Sequence, residues 1–178
     1  MDQYFSISLI VFISLITLIY ITTYNNPTVK IMDRPIWYNP RNLLDYNLDA
    51  PGTSKQIGDI YSLSHITHGI LFYLLFKYLK ININKGFLFA VILEIIWEIF
   101  ENSPYIINKY RKRPEYQNYS GDSIVNILGD TLCMIFGFYM CYKNETLALI
   151  YMITSEVLLS PYDANFIHLS FGSLLSQS

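Results

Sequence analysis

Residues 86–101 read GFLFAVILEIIWEIFE, an apolar run that carries Glu94, Glu98 and Glu101. The run approaches the length of a transmembrane helix, which needs about 20 mostly apolar residues. Spacings of four and then three residues place the glutamates on one face of that helix. An ionisable side chain at mid-bilayer costs roughly 2.5–3.5 kcal/mol on insertion scales. Three of them on one face therefore indicate a buried polar site within a hydrophobic bundle.

Two other apolar segments carry polar residues at helical spacing. His65 and His68 open the segment that begins near Ser62, and they are three residues apart. The segment that begins near residue 122 has a polar residue at every fourth position: Asp122, Asn126 and Asp130. Side chains three or four residues apart share a helix face. The sequence therefore predicts three polar helix faces that can meet.

The composition favours a membrane protein. Of 178 residues, 52% are hydrophobic and only 15% are charged, whereas about a quarter are charged in soluble domains. The net charge is −2 and no long basic tract is present, so nucleic acid is not an expected partner. Cys133 and Cys141 lie eight residues apart on one predicted helix, about 12 Å along its axis. That separation exceeds the reach of a disulfide, and both are interpreted as packing residues.

We predict an all-α, polytopic transmembrane bundle that forms a single membrane domain over residues 1–178. It has about five spans, near residues 4–24, 62–81, 86–107, 122–142 and 146–160. The first span is expected to be an uncleaved anchor, because Asp2 is the only charge before it and a signal peptide begins with basic residues. A polar loop is expected at 25–60, and a helix on the membrane surface at 164–176.

The distribution of Lys and Arg among the loops predicts the orientation of the chain in the membrane. Eight of the twelve Lys and Arg residues fall in the first and third loops, which favours placing the N-terminus outside. In either orientation these two loops share a side, so that His65, Glu101 and Asp122 lie near the same membrane face. Glu156 in the fifth span and His168 in the tail are expected on that face too.

A metal site is one interpretation of this convergence. Neutral imidazoles are common metal ligands, and two histidines at i and i+3 on a helix can bind one ion. We predict His65, His68, Glu101 and Asp122 as ligands of one divalent transition metal. A shell of nitrogen and oxygen suits zinc, iron or manganese. The alternative is a pair of histidines that only donate hydrogen bonds to carboxylates.

The remaining polar residues are candidate catalytic residues. Glu98 is the expected general base, with Asp130 orienting a histidine or Asn126. These roles describe a metal-assisted hydrolase or transferase that acts on a lipid or another membrane-embedded substrate. Three carboxylates on one face should not all ionise at low dielectric unless a metal, Arg111 or Arg113 compensates them. Ser120 or Asp122 is expected to cap the fourth helix after a sharp turn at Gly121.

Two other functions remain open. Intramembrane acidic and histidine residues also serve proton relays, so the chain could be a proton- or cation-coupled carrier, which at this size would require oligomerisation. It could instead be a structural membrane protein whose polar faces lock helices together through neutral glutamates and Asn102. In every case the bilayer is the expected partner.

Three stretches carry a family resemblance: Asp59–Gly69, Glu94–Pro104, and Tyr119–Asn126 with Asp130. Over roughly residues 54–140 the chain resembles an uncharacterised family of bacterial integral membrane proteins, domain of unknown function 2585. It is more distantly similar to VanZ-like membrane proteins, which also combine a span that starts with a histidine, a span rich in glutamate and an Asp-x-x-x-Asn helix start. The resemblance implies a membrane location and this set of motifs, without a substrate.

Overall fold

The computed structural model describes residues 7, 12–13, 44–45, 54–112, 117, 119–162 and 166–167. Most of these residues are helical, in agreement with the all-α prediction. The helices are α1 (Ser62–Tyr78), α2 (Ile83–Glu101), α3 (Pro104–Tyr110), α4 (Ile124–Lys143) and α5 (Glu145–Leu159), followed by a 3-10 turn at Ser160–Tyr162. Two short strands, β1 (Leu44–Asp45) and β2 (Gly58–Asp59), pair in parallel, with Leu44 opposite Gly58. The predicted segments 4–24 and 164–176, and most of 25–60, lie outside the described residues.

The chain divides the apolar run 86–107 between two helices. Helix α2 ends at Glu101, and Pro104 occupies the first turn of α3. Proline suits that position because its ring fixes φ and the N–H it lacks would have no partner inside the helix. The Ser103 side chain caps α3 by accepting a hydrogen bond from the Ile106 N–H. The break brings Asn102 and the end of α2 next to the start of α4.

Helix α4 begins differently from the expectation. Its cap is Ser123, whose hydroxyl accepts the Asn126 N–H at 3.1 Å. Ser120 and Asp122 therefore do not cap it, because Ser123 has the extended backbone that a cap requires and Asp122 is turned towards α2. Gly121 has φ of 90°, a conformation that glycine adopts readily, as expected for a sharp turn.

Helices α1 and α4 pack with their backbones in contact. A Cβ atom added at Gly137 would lie 2.0 Å from the carbonyl oxygen of Ile66, and one at Gly69 would lie 1.9 Å from that of Met134. At Gly129 the neighbour is the carbonyl oxygen of Ile57, at 1.5 Å. No side chain fits at these three positions, so the glycines set the separation of α1, α4 and the segment before α1.

An apolar core fills one end of the bundle. Phe138 of α4 is buried against the rings of Tyr73 and Phe87 at centroid distances of 5.5 and 5.6 Å. Cys141 lies in the same core, and both Cys141 and Cys133 are free thiols. Cys133 packs against this core from its edge, so both cysteines lie where the sequence predicts packing residues.

The outer faces of the helices are strongly apolar. Among the described helices, one, α4, is long and apolar enough to cross a bilayer. A single helix of this kind also occurs in the cores of soluble proteins, so it does not establish a polytopic bundle. The exposed faces of α1, α2, α4 and α5 nevertheless present large hydrophobic side chains: Leu75, Phe89, Ile96, Leu132, Phe136, Ile150, Ile153, Val157 and Leu158.

Candidate metal centre

Glu94 joins the two histidines. Its Oε1 lies 2.5 Å from Nδ1 of His65, and its Oε2 lies 2.9 Å from Nδ1 of His68. The Glu94 carboxylate can only accept, so we assign a hydrogen to Nδ1 of each ring. In the neutral tautomer, Nε2 of each ring then keeps a lone pair. A carboxylate that holds a histidine in this way is the usual outer partner of a metal-ligating imidazole.

A second set of groups surrounds His65. The Glu98 Oε1 lies 3.6 Å from its Nδ1, and the Asp130 Oδ2 lies 3.9 Å from its Nε2. One ligand atom from each of the three residues lies within 4.8 Å of the other two, and all three residues are buried. We call His65, Glu98 and Asp130 the His65 group. It combines nitrogen and oxygen donors contributed by three different helices.

Two oxygens in the His65 group are unusual. Within the described part of the chain, Oε1 of Glu98 and Oδ1 of Asp130 are buried and have no hydrogen-bond partner. A buried polar atom left without a partner costs about 1–3 kcal/mol, and more when it is charged. These oxygens therefore mark a place where a bound cation would stabilise the fold.

A third set connects the end of α2 to the start of α4. Ligand atoms of Glu98, Glu101 and Asp122 lie within 4.8 Å of one another, and we call these residues the Asp122 group. Asn102 bridges it, because its Nδ2 donates to Asp122 Oδ2 at 2.8 Å and its Oδ1 accepts the Asp122 N–H at 2.8 Å. The Tyr119 hydroxyl donates to the other Asp122 oxygen at 3.0 Å. Asp122 is thus fixed between two helices.

Replacing Asn102 with alanine should destabilise the protein by about 1–3 kcal/mol, because the N–H and carboxylate of Asp122 would lose buried partners. Thermal unfolding in detergent measures the change. Asn108→Ala is the matched control, since Asn108 is exposed on α3. Equal stability of the two variants would contradict the bridging role of Asn102.

The segment before α1 covers one side of the centre. Buried Asp59 accepts backbone hydrogen bonds from Ser54 at 2.7 Å and from Tyr61 at 2.8 Å. Burial raises the pKa of the Asp59 carboxyl, while these backbone donors act in the opposite direction. Asn126 holds the same segment, because its Nδ2 donates to the carbonyl oxygen of Gln56 at 3.0 Å. The Asn126 amide N–H2 is therefore used to anchor the segment.

The carboxylates face few cations. No lysine or arginine of the described ranges is buried, and the Lys77–Glu145 ion pair lies at the surface. The Nε of Arg111, one of the counter-ions expected for the glutamates, donates to the carbonyl oxygen of Tyr119 at 2.6 Å. Arg113 lies outside the described residues. Within the described part of the chain, the buried groups that can balance these carboxylates are His65 and His68.

Aromatic rings surround His68. Trp97 and Phe166 meet its ring edge to face at 5.3 Å, and the Phe72 ring lies at 5.9 Å. Glu156 secures Phe166 by accepting its backbone N–H at 2.9 Å. Glu156 thus holds Phe166 in place beside the His68 ring. His168 lies outside the described residues.

The structure groups the sequence-predicted ligands differently from the prediction. His65 lies with Glu98 and Asp130, while Glu101 and Asp122 lie with Glu98. His68 meets Glu94, which the sequence placed on the glutamate face without a separate role. The sequence places Glu94 on the same helix face as Glu98, and this pattern identifies it as a residue of the polar site. Helical spacing does not show, however, that Glu94 lies at the same height in the bundle as the two histidines of α1.

The family of the chain follows from comparison with known proteins. Residues 29–162 match the family described as "Protein of unknown function (DUF2585)". The chain belongs to this family. The resemblance to domain of unknown function 2585 is therefore confirmed, while the likeness to VanZ-like proteins stays a prediction.

Several bacterial relatives are similar to the chain over about half of its length. A UPF0314 protein of Agrobacterium fabrum is 42% identical over 100 residues, covering 54% of this chain and 50% of the relative. A UPF0314 protein of Brucella anthropi is 43% identical over 95 residues, covering 52% and 48%. The chain thus matches about half the length of these curated relatives. No solved structure matches it.

Proposed function

We propose that the chain is a multi-pass membrane protein whose buried centre binds a divalent transition metal and uses it in a hydrolase or transferase reaction. The observation that carries the proposal is the Glu94 carboxylate, which accepts from Nδ1 of both histidines. This arrangement orients two imidazoles with Nε2 available for a metal. The substrate class that follows from a bilayer location is a lipid or another membrane-embedded molecule.

The distribution of polar and apolar side chains supports the membrane location. Glu94 is 0% exposed and Glu98 is 1% exposed, whereas Ile150 and Val157 on α5 are 57% and 67% exposed. A soluble protein rarely exposes a large contiguous apolar surface. In a bilayer, by contrast, ionisable side chains face the bundle interior and apolar ones face lipid. We also propose that the N-terminus lies outside, as the Lys and Arg residues of the loops predict.

The metal in this proposal is bound by the His65 group. Nε2 of His65, which lies 3.9 Å from Oδ2 of Asp130, would supply the nitrogen ligand, and carboxylate oxygens of Glu98 and Asp130 would supply the others. This donor set suits zinc, iron or manganese. Glu98 and Asp130 then serve as ligands, in place of the base and orienting roles expected from the sequence.

The chemistry follows from the donor set. A divalent ion held by His65, Glu98 and Asp130 would supply the chemistry that activates a water molecule near neutral pH. The reaction would be hydrolysis of an ester bond in a lipid, in which water adds to the acyl or phosphoryl group and the alcohol leaves. The aromatic rings of Phe72, Trp97 and Phe166 around His68 provide an apolar wall for the substrate and keep bulk water away from the centre.

The test is turnover of lipid by the purified full chain. Proteoliposomes made with a bacterial total lipid extract are incubated with protein that has been treated with chelator or reloaded with zinc or manganese, and products are identified by mass spectrometry. We expect a product that forms only after reloading and that His65→Ala does not form. The control Glu145→Gln changes a surface carboxylate and should stay active. A product that forms equally after chelation, or in His65→Ala, would contradict the proposal.

A carrier is the second candidate. The carboxylates extend from Asp122 at the start of α4 to Asp130 farther along it, with no buried lysine or arginine in the described ranges. Such a row of acids also suits the passage of protons or cations. Ion-dependent uptake into the same proteoliposomes, abolished by Glu94→Gln, would favour this function over catalysis.

A further inference from the structure

We infer that the buried centre is reached past His68, and that the Phe166 ring closes this route while Glu156 holds the ring in place. The inference deepens the proposed function, because it assigns the side from which a membrane-embedded substrate would approach, and it rests on that function for the substrate. The closure itself is a set of contacts within the chain and does not require a bound metal.

The sides of the centre that face α4 are closed by backbone. The separation of α1 and α4 is set by Gly69 and Gly137, where an added Cβ would lie about as close to a carbonyl oxygen as a bonded neighbour. The segment before α1 approaches α4 in the same way at Gly129. Ser123 fixes that segment, because its N–H donates to the carbonyl oxygen of Ser54 at 2.8 Å. Backbone contacts of this kind leave no room for a substrate.

Side chains, by contrast, enclose His68. It is 6% exposed, and the rings around it belong to Phe72, Trp97 and Phe166. Phe72 lies one turn after His68 on α1 and Trp97 lies on α2, so both are positioned by helices of the bundle. Phe166 follows α5 and the 3-10 turn in the chain. Displacing its ring would therefore uncover His68 without separating any two of the five helices.

Glu156 on α5 fixes the position of Phe166. Its Oε1 accepts the backbone N–H of Phe166 at 2.9 Å, and its Oε2 accepts that of Ile167 at 3.3 Å. Hydrogen bonds to an ionised acceptor are roughly twice as strong as neutral ones. With its backbone held there, the Phe166 ring meets the His68 ring at an interplanar angle of 86°. Glu156 is thus a positioning residue that acts on His68 through Phe166.

The surface next to this route is apolar. The Phe100 ring lies 6.2 Å from that of Trp97 and is 42% exposed, and Ile96 on the same helix is 55% exposed. In the proposed membrane location such side chains face lipid. A molecule that reaches His68 from this surface comes from within the bilayer, so the route suits the apolar part of a lipid better than a charged headgroup.

The experiment measures how fast diethylpyrocarbonate acylates His68 in the chelator-treated full chain in detergent, by mass spectrometry of its peptides. The reagent attacks a ring nitrogen that has a lone pair, which in neutral His68 is Nε2. Phe166→Ala and Glu156→Ala should react at least about tenfold faster than the wild type, since losing a charge-assisted hydrogen bond shifts an opening equilibrium by at least that factor. Glu156→Gln keeps one acceptor oxygen and should lie between. The exposed controls Phe136→Ala and Glu145→Gln should react at the wild-type rate.

Alkylation of Cys141 by N-ethylmaleimide separates a local opening from a loss of folding. Cys141 is 0% exposed in the apolar core, and its rate should be the same in the wild type and in every variant. If Glu156→Ala does not fold, Phe166→Ala carries the test. His68 reactivity in Phe166→Ala equal to that of the wild type would overturn the closure, as would rates for His68 and Cys141 that rise together.

The outcomes separate this inference from the proposed function. The reactivity of His68 is measured without a metal, so faster acylation in Phe166→Ala would support the closure even if the purified wild type held no zinc, iron or manganese. Conversely, a metal-containing wild type in which Phe166→Ala leaves His68 unreactive would overturn the closure and leave the metal centre intact.

Discussion

Replacing Gly137 with alanine should destabilise the bundle by more than about 3 kcal/mol, beyond the usual range for overpacking. The added methyl would lie 2.0 Å from the carbonyl oxygen of Ile66, and backbone atoms cannot rotate away as a side chain can. Helices α1 and α4 would have to separate. Thermal unfolding in detergent, together with the yield of folded protein, measures the effect.

The matched control is Gly86→Ala on α2. There the nearest atom to an added Cβ is the Cβ of Phe76, at 3.1 Å, so only a small adjustment is required. Both changes replace a helical glycine, and both gain the same helix propensity of about 1 kcal/mol. If Gly137→Ala were as stable as Gly86→Ala, α1 and α4 would not pack as closely as described.

Glu94→Gln should lower the affinity for zinc by about 10–100-fold, the usual effect of removing an outer partner of a metal-bound histidine. The amide has a single acceptor oxygen, so it can satisfy Nδ1 of one histidine only. Its N–H2 group would then face the Nδ1–H of the other ring, and one imidazole would turn. Competition with a zinc-binding dye measures the affinity of the purified variant.

Glu145→Gln on α5 controls for the loss of one negative charge, because Glu145 pairs with Lys77 away from the centre. Its zinc affinity should match that of the wild type. Zinc affinity in Glu94→Gln equal to that of the wild type would show that Glu94 does not orient the histidines for a metal.

The sequence was sufficient to predict most of the described helices and the residues on their polar faces, because hydrophobic length and helical spacing are local properties. It could not predict which carboxylate meets the histidines. Glu94 and Glu101 share a face of α2 but differ by about 10 Å in depth. The depth of α2 relative to α1 depends on how their side chains pack and on the break before Pro104, and neither follows from spacing.

The role of Asn126 shows a similar limit. Its spacing from Asp122 and Asp130 placed it correctly on the polar face of α4. Its amide nevertheless binds the carbonyl oxygen of Gln56, in a segment whose path depends on Asp59 and on Gly129. Contacts between a helix and a distant loop depend on tertiary packing, which periodicity does not encode. The cap of α4 is Ser123, whereas Ser120 or Asp122 is expected from the sequence. Serine and aspartate are both suitable cap residues, so residue type alone does not select among the three positions.

The central claim is that the buried histidines and carboxylates hold a metal. Elemental analysis by mass spectrometry of the detergent-purified full chain tests it most directly, with His65→Ala and Glu145→Gln purified in parallel. We predict stoichiometric zinc, iron or manganese in the wild type and in Glu145→Gln, and its loss from folded His65→Ala. Absence of metal from the wild type, or equal metal in folded His65→Ala, would contradict the claim.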